Sequence, residues 1–432
     1  MPAPQVWSVK HAQLERYNSG MPENSRRTFL KTASRVASTT AIAMTAASYS
    51  RVLGANDAIQ LGVIGVGDRG RHVMSLFMNN PQVRVVAVAD VYAEQIDQAK
   101  QKAVDAVAFG DHRKLLEVKE LNAVLIATPD HWHTATAIDA LNAGKDVYVE
   151  KPLTRTPEEG PLIVKAARIN NCICQVGMQQ RSGKHYLQAK QEYFDTGKLG
   201  RITLARTWWH GNGYHLRKAP ESLQTKPGNL DWARFLGPLK WRDYDPQQYF
   251  NWRAYLDFGG GQVTDLFTHW IDVVHMMTGK EIPTAASAIG GVYAYKDGRT
   301  APDTINVALQ YPDPNEFTAT FEATLAPGIT GAALEIAGTE GRLYIDRTKF
   351  DFYPKGQKTP ITVQGYPQPD HTDGLTQDHV NNFLACVVSR KLPNGDVLIG
   401  HRSAQASHLG NISYVQRRRI DFDADREEIL PF

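Results

Sequence analysis

Cysteine is scarce, with Cys172, Cys174 and Cys386 the only three in 432 residues. An odd count with one C-x-C pair is not a disulfide framework. Cys172 and Cys174, two apart on a strand, share a face where a bridge is strained. All three read as small apolar core residues, so the fold does not depend on an oxidising compartment. An excess of one charge is also lacking: 48 Lys and Arg stand against 45 Asp and Glu, a net +3. That balance argues against a nucleic-acid partner, which would call for a basic stripe. The one dense basic run, Arg417-Arg418-Arg419, reads as the solvated end of a helix. No 18 apolar residues occur in a row, so no transmembrane helix and no stable membrane insertion are expected. What remains, 42% hydrophobic and 22% charged residues, describes a soluble globular chain of two domains plus a tail.

The tail is distinctive. Ser25-Arg26-Arg27-Thr28-Phe29-Leu30-Lys31 fills the twin-arginine export pattern S-R-R-x-F-L-K. A mild apolar stretch rich in Ala, Ser and Thr follows, from Val36 to Tyr49. Basic, then apolar, then small residues is the order of a signal peptide. Cleavage fits after Ala47 or after Ala55, and Met21 is an alternative start. Residues 1–57 are therefore expected to be signal and arm, handled by the twin-arginine export machinery and delivering a bacterial protein to the periplasm.

From Ala58 the pattern changes. The apolar run Ile59 to Ile64 leads into Gly65-Val66-Gly67-Asp68-Arg69-Gly70, which is G-x-G-x-x-G, and then into an amphipathic stretch, Arg71 to Met78. Strand, glycine loop and helix in that order form a dinucleotide-binding turn. Gly65 allows the tight turn, Gly67 the approach of a pyrophosphate and Gly70 close helix–strand packing. A second strand, Val83 to Ala89, ends at Asp90, 20 residues beyond Gly70, where a carboxylate can grip a ribose 2′-hydroxyl. An acid there repels a 2′-phosphate and favours NAD; NADP stays open because Arg69 can reach a phosphate. Strands and helices go on alternating through Asn122–Ala127, Thr134–Asn142, Asp146–Val149, Pro157–Arg168 and Cys172–Val176. That alternation predicts a doubly wound parallel sheet, a Rossmann domain over residues 58–178. Thr128 and Pro129 sit at the carboxyl end of a strand, where such sheets bind ligands.

Two further motifs follow. One is Glu150-Lys151-Pro152. The other runs from Gly259-Gly260-Gly261 through Asp265 and His269 to Asp272, in the form G-G-G-x-x-x-D-x-x-x-H-x-x-D. With the glycine loop, they resemble the glucose–fructose oxidoreductase/inositol dehydrogenase (Gfo/Idh/MocA) family from about Ala58 onward. Asn251-Trp252-Arg253 and His379-Val380-Asn381-Asn382-Phe383 resemble its exported bacterial subgroup. The chemistry is coherent. Oxidising a carbinol needs an acceptor for the hydroxyl proton. Lys151, at the sheet edge, can bond the substrate oxygen and favour a developing alkoxide. Asp265 and His269 share a helical face at i, i+4, and histidine suits proton shuttling. The three glycines would let substrate approach the backbone. The resemblance implies the same roles: Lys151 and His269 at the reacting oxygen, Asp265 positioning a sugar or polyol.

Around them, Gly65, Gly67, Asp68, Arg69, Gly70, Asp90, Thr128, Pro129, Glu150, Lys151 and Gln179 are the expected cofactor contacts. His131 and His133, in Asp130-His131-Trp132-His133, are expected beside the nicotinamide or in structural roles, with metal ligation a weak third reading; no metal is expected. Arg181, Trp252 and Arg253 join Lys151, Asp265 and His269 as substrate contacts, and Asp272 is divided between sugar binding and structure.

Residues 179–432 turn to α+β. Strands expected at Ile202–Trp209, Ala285–Tyr295, Thr304–Tyr311, Phe317–Ala323, Leu334–Gly338, Arg342–Ile345 and Phe350–Tyr353 suggest an open, mostly antiparallel sheet. Its free face suits a homo-oligomer, a dimer or tetramer. The insertion from His210 to Arg253, rich in Trp, Tyr and basic residues, suits a sugar or a packed loop cluster equally. Export of an already folded protein suggests that NAD leaves the cytoplasm bound and is retained. A redox-closed cycle follows: either an oxidation coupled to a reduction, or a transient keto-sugar that permits elimination, hydrolysis or epimerisation.

Overall fold

The computed structural model describes residues 58–314, 316–367 and 371–431; the twin-arginine segment lies outside these. Ala58 to Phe432 forms one compact unit.

The first sheet has six parallel strands in the order β3-β2-β1-β4-β5-β6. They are β1 (Ile59–Ile64), β2 (Val83–Ala89), β3 (Val107–Phe109), β4 (Ala123–Ile126), β5 (Asp146–Val149) and β6 (Cys174–Val176). Their helices are α1 (Asp68–Met78), α2 (Ala93–Lys100), α3 (His112–Leu116), α4 (Asp130–Asn142) and α5 (Gly160–Ile169). β4 and β5 are buried at every residue, because helices cover both faces of a parallel sheet. The strand order reverses between β1 and β4, which opens a crevice at their carboxyl ends.

After α6 (Lys184–Ala189) comes a second sheet of ten strands, β14-β13-β12-β11-β7-β10-β9-β8-β15-β16. Its members are β7 (Ile202–His210), β8 (Ala285–Gly291), β9 (Thr304–Tyr311), β10 (Phe317–Thr324), β11 (Gly331–Gly338), β12 (Gly341–Ile345), β13 (Lys349–Pro354), β14 (Ile361–Gln364), β15 (Ile420–Asp423) and β16 (Glu428–Ile429). All these pairings are antiparallel except β7 with β10. Alternation sets the faces. Ile305, Val307, Leu309 and Tyr311 of β9 and Phe317, Ala319, Phe321 and Ala323 of β10 turn inward. There they meet Phe267, Trp270, Val273 and Val274 at the start and middle of the helix that carries the G-G-G motif's histidine. β8 stops at Gly291, short of the expected Tyr295. The Asp303 carboxylate accepts the N–H groups of Tyr293, Ala294 and Tyr295, which removes them from a ladder.

Two short helices, α7 (Trp232–Leu236) and α8 (Pro246–Phe250), lie in the insertion; α9 (Thr268–Thr278) carries His269. The last helices, α10 (His371–Ser389) and α11 (Val397–Gln416), return to the first sheet. Val176 donates its N–H to Gly395, and a side chain at Gly400 would strike Val176. The chain's end thus covers the edge of the first sheet, a long-range arrangement that local pattern does not carry. Among the described residues no helix is long and apolar enough to cross a membrane.

Candidate active site

The glycine loop has the geometry its spacing requires. Gly65 adopts φ +81°, and a Cβ on Gly70 would lie 2.0 Å from the Gly65 carbonyl oxygen. A Cβ on Gly67, by contrast, meets nothing within 4 Å. That open face at the first turn of α1 is a cradle for a pyrophosphate. Nearby, Thr128 Oγ1 and Gln179 Oε1 are buried without a hydrogen-bond partner. Free polar groups and an open glycine fit a dinucleotide. Asp90 accepts hydrogen bonds from the N–H of Val66 (2.9 Å) and of Tyr92 (3.0 Å). Burial outweighs these and pushes its carboxyl up to about 6.

Several expected cofactor contacts have other occupations. Arg69 donates to Glu150 through Nε (2.9 Å) and Nη2 (2.8 Å), so it is not free for a 2′-phosphate. The same pair occupies the Glu150 carboxylate. Asp68 pairs with Arg71 (3.0 Å) and with Arg217 of the insertion (3.1 Å). His133 sits between the carbonyls of Pro152 (2.6 Å) and Thr128 (2.9 Å), and His131 contacts the Phe235 carbonyl at 2.7 Å. Both histidines are buried, and burial pushes His131 down to about 3. They brace the loop after Pro129, rather than face a ligand. His379 likewise clamps the crossing segment, through Val176 O (2.9 Å) and Ser182 Oγ (2.8 Å).

The G-G-G motif joins this edge from the other side. Its glycines do not leave room for substrate. A Cβ at Gly259 would meet Asp130 Oδ2 at 2.9 Å, one at Gly260 would meet Thr264, and one at Gly261 would meet Ala301. They instead let the chain pack under the segment Val263–Phe267, a π-helical turn that holds Asp265 just before α9. Wide turns of this kind re-aim side chains and recur at functional sites.

Lys151 Nζ lies 2.5 Å from Asp265 Oδ1 and 2.8 Å from its carbonyl oxygen. His215 Nε2 donates to Asp265 Oδ2 at 2.9 Å, and Arg253 Nε is 3.5 Å from Oδ1. Burial by itself would raise the Asp265 carboxyl, but Lys151, Arg253 and His215 hold it well below the usual range. His269 is kept neutral by burial, reinforced by the cations Lys151 and Arg347. Its Nδ1 donates to Gln180 Oε1 (3.1 Å), which leaves Nε2 with the lone pair. Trp209 lies along the His269 ring, 5.8 Å between centroids.

Lys151, Asp265, His269, Trp252 and Arg253 therefore converge; Arg253 stacks on Trp252 at 4.1 Å. Arg181 does not join them. Its Nε bonds both carboxylate oxygens of fully buried Asp272 (2.7 and 2.9 Å), which also accepts from Ser403. This pair joins the crossing segment to α9, which settles Asp272 as structural. Arg181→Met should strand a buried carboxylate and destabilise the protein by about 3–5 kcal/mol, read from urea unfolding midpoints. Unchanged stability with a raised KM would return Arg181 to the substrate side. His269 is reached by Gln180, the residue after Gln179.

Sequence reasoning passed over His215 and Asp130. His215 lies in the insertion with no motif around it. Asp130 was overshadowed by the two histidines that follow it. Burial pushes its carboxyl up to about 7, against Lys151 and Arg253, so a second titrating group faces the same cations.

The insertion spans the crevice edge. Asp231 donates its N–H to Val91 O (2.9 Å), and Ala93 to Asn229 O (3.2 Å). These contacts fall just past Asp90, and Arg217 reaches Asp68 on the glycine loop. The segment keeps its own small core of Trp232, Phe235, Leu236, Ala254, Tyr255 and Phe258.

Comparison with known proteins agrees with this geometry. A family model for oxidoreductases with an NAD-binding Rossmann fold, Gfo/Idh/MocA, matches residues 59–178. The model of the Gfo/Idh/MocA C-terminal domain matches residues 238–344. Inositol 2-dehydrogenase of Salmonella typhimurium is 31% identical over 166 residues, 38% of this chain and 48% of that protein. A glycosyl hydrolase family 109 protein of Saccharopolyspora erythraea is 34% identical over 114 residues, 24% of this chain and 25% of that protein. The chain thus spans about half or less of the length of these curated relatives. A levoglucosan dehydrogenase solved with NADH and levoglucosan superposes with a TM-score of 0.67 at 20% identity, covering 84% of this chain and 99% of that one. With both family models matched in order, and together spanning more than half of the sequence, the chain belongs to the Gfo/Idh/MocA family of NAD-binding oxidoreductases.

Proposed function

We propose that the protein oxidises a carbinol carbon of a sugar or polyol with a tightly held NAD, in the periplasm of a bacterium that exports it through the twin-arginine pathway. The observation that carries the reading is the cluster itself: Lys151 on Asp265, with neutral His269 beside them, at the carboxyl edge of a dinucleotide sheet. Gly65, Gly67, Gly70, Asp90 and Thr128 would hold the dinucleotide. When bound, NAD supplies the hydride acceptor. His269 Nε2 takes the hydroxyl proton as the carbon is oxidised. Lys151 donates to the same oxygen and stabilises the charge that develops on it. Asp265, kept ionised, fixes the ammonium, and His215 fixes Asp265. Asp90 and the commitment of Arg69 to Glu150 favour NAD over NADP.

Retention of the cofactor is supported by the insertion, which ties down both the glycine loop and the segment after Asp90. Protein purified without added cofactor should release about one equivalent of NAD or NADH on denaturation. Arg217→Ala, which removes the tie to Asp68, should speed that loss by roughly two- to fivefold, the effect of at most about 1 kcal/mol from a largely exposed ion pair. Empty protein that binds NAD weakly would overturn retention and leave an ordinary dehydrogenase. A second reading, a redox-neutral glycosidase, lyase or epimerase working through a transient keto-sugar, draws support from the family 109 relative. Release of free sugar from a glycoside without added NAD would favour it. The solvent-facing side of the second sheet, with Ile289 exposed, suits assembly of a homo-oligomer.

A further inference from the structure

Among the described residues, most arginines that are buried or half-buried have a carboxylate. Arg69 has Glu150, Arg181 has Asp272 and Arg299 has Asp297. Arg347, in the turn between β12 and β13, differs. Its Nε is buried without a hydrogen-bond partner, and among the described residues no carboxylate lies within ion-pair distance of it. The adjacent Asp346 is already committed. Its Oδ1 accepts from Thr348 N, Thr348 Oγ1 and Lys349 N, and its Oδ2 from Tyr344 OH. Asp265 is within electrostatic reach but is taken by Lys151 and His215. Burial pulls the Arg347 guanidinium down to about 10, the mark of a cation without a counter-ion.

The surroundings say where the missing anion belongs. The guanidinium lies 4.7 Å from the centre of the Trp209 ring, and that ring also neighbours His269, at 5.8 Å between centroids, and Trp270. Arg347 is thus one tryptophan ring away from the proton acceptor, on the side of the second domain. A planar guanidinium stacked on an aromatic ring is pre-organised for a carboxylate. One cation matches a monoanion better than a dianionic phosphate. The guanidinium is half-buried, with its Nε enclosed and unpartnered, and a partly desolvated charge without a counter-ion is stabilised when a ligand completes it.

We propose that the substrate is an acidic sugar or polyol, a uronate or aldonate, whose carboxylate pairs with Arg347 while a hydroxyl-bearing carbon faces His269 and Lys151. This rests on the dehydrogenase reading above for the position of the reacting carbon. The test is calorimetric binding to the full protein with its own cofactor. D-glucuronate, D-galacturonate and D-gluconate are compared with D-glucose, D-galactose and sorbitol. At least one acid is expected to bind about 30-fold or more tighter than its neutral counterpart, the scale of one desolvated charge pair. Arg347→Gln should erase that ratio, and Arg347→Lys should restore part of it. Equal binding of acids and neutral sugars, no binding by any acid, or a ratio that survives Arg347→Gln would each overturn the proposal. So would loss of the cofactor from Arg347→Gln, which would assign the guanidinium to the dinucleotide. Reduction of the cofactor, followed by absorbance in the same samples, reports separately on the dehydrogenase reading.

Discussion

Replacing Lys151 with Ala is expected to lower turnover a hundredfold or more while leaving the dinucleotide in place. The ammonium is the cation nearest Asp265 Oδ1, at 2.5 Å against 3.5 Å for Arg253, and it faces the oxygen on which charge develops. Loss of a single pre-organised donor of this kind costs about 10²–10³ in rate. Two pH effects should accompany it. The Asp265 carboxyl, now held low by Lys151, should rise. The His269 imidazole, now depressed partly by Lys151, should also rise, so residual activity should fall at a higher pH than in the wild type as acid protonates the base. His269→Ala should lose turnover similarly but without moving Asp265. The measurements are kcat against pH for both variants, with bound nucleotide assayed after denaturation. Unchanged turnover in both would remove these residues from the chemistry.

Acid should unfold the protein steeply. Among the described residues, the buried histidines pushed below the ordinary value of about 6.5 by burial include His131, His133, His269, His275, His379 and His408. His131, His275 and His408 fall to about 3, and His379 to about 4. Below pH 6.5 the unfolded chain binds protons at these positions and the folded chain does not, so stability falls as pH falls. Two buried carboxyls act in the opposite sense, because Asp90 and Asp130 are raised, to about 6 and about 7, and hold protons when folded. The five histidines that fall furthest, His131, His269, His275, His379 and His408, set against these two carboxyls leave about three protons, or on the order of 4 kcal/mol per pH unit below pH 6. That is a large share of the 5–15 kcal/mol typical of a folded domain. Urea midpoints between pH 7.5 and 5 test it; a flat profile would mean that these histidines become protonated in the folded state.

Much of the site was legible from spacing because its chemistry is carried by short motifs. G-x-G-x-x-G needs its glycines for contacts within one strand–turn–helix unit, so Gly65 and Gly70 were readable from their neighbours alone. Lys151, Asp265 and His269 were singled out instead by motifs that resemble a known family. The reading failed where a polar residue's role depended on a partner far away in sequence. Arg181 finds Asp272 across 91 positions, and Arg69 finds Glu150 across 81. Nothing near Arg181 or Arg69 announces that its charge is already taken. The three glycines were misassigned for the same reason, since the distant groups that crowd them are Asp130, Asn411 and Ala301. His215 was missed because a buried histidine in an insertion has no pattern until Asp265 stands 2.9 Å away.

Lys151, Asp265 and His269 were singled out by motifs that resemble a family, whereas by itself the sequence determined the alternation that makes a parallel sheet and the loop shaped for a pyrophosphate. Each is set by contacts within a few residues, where periodicity and turn chemistry suffice. Tertiary structure alone decided which charges are spent and which are free. Ion pairing and desolvation depend on what lies within about 4 Å in space, and the chain brings Asp265 to Lys151 across 114 positions. Only the fold separates Arg69 and Arg181, each neutralised by a carboxylate, from Arg347, left stacked on Trp209 beside the site.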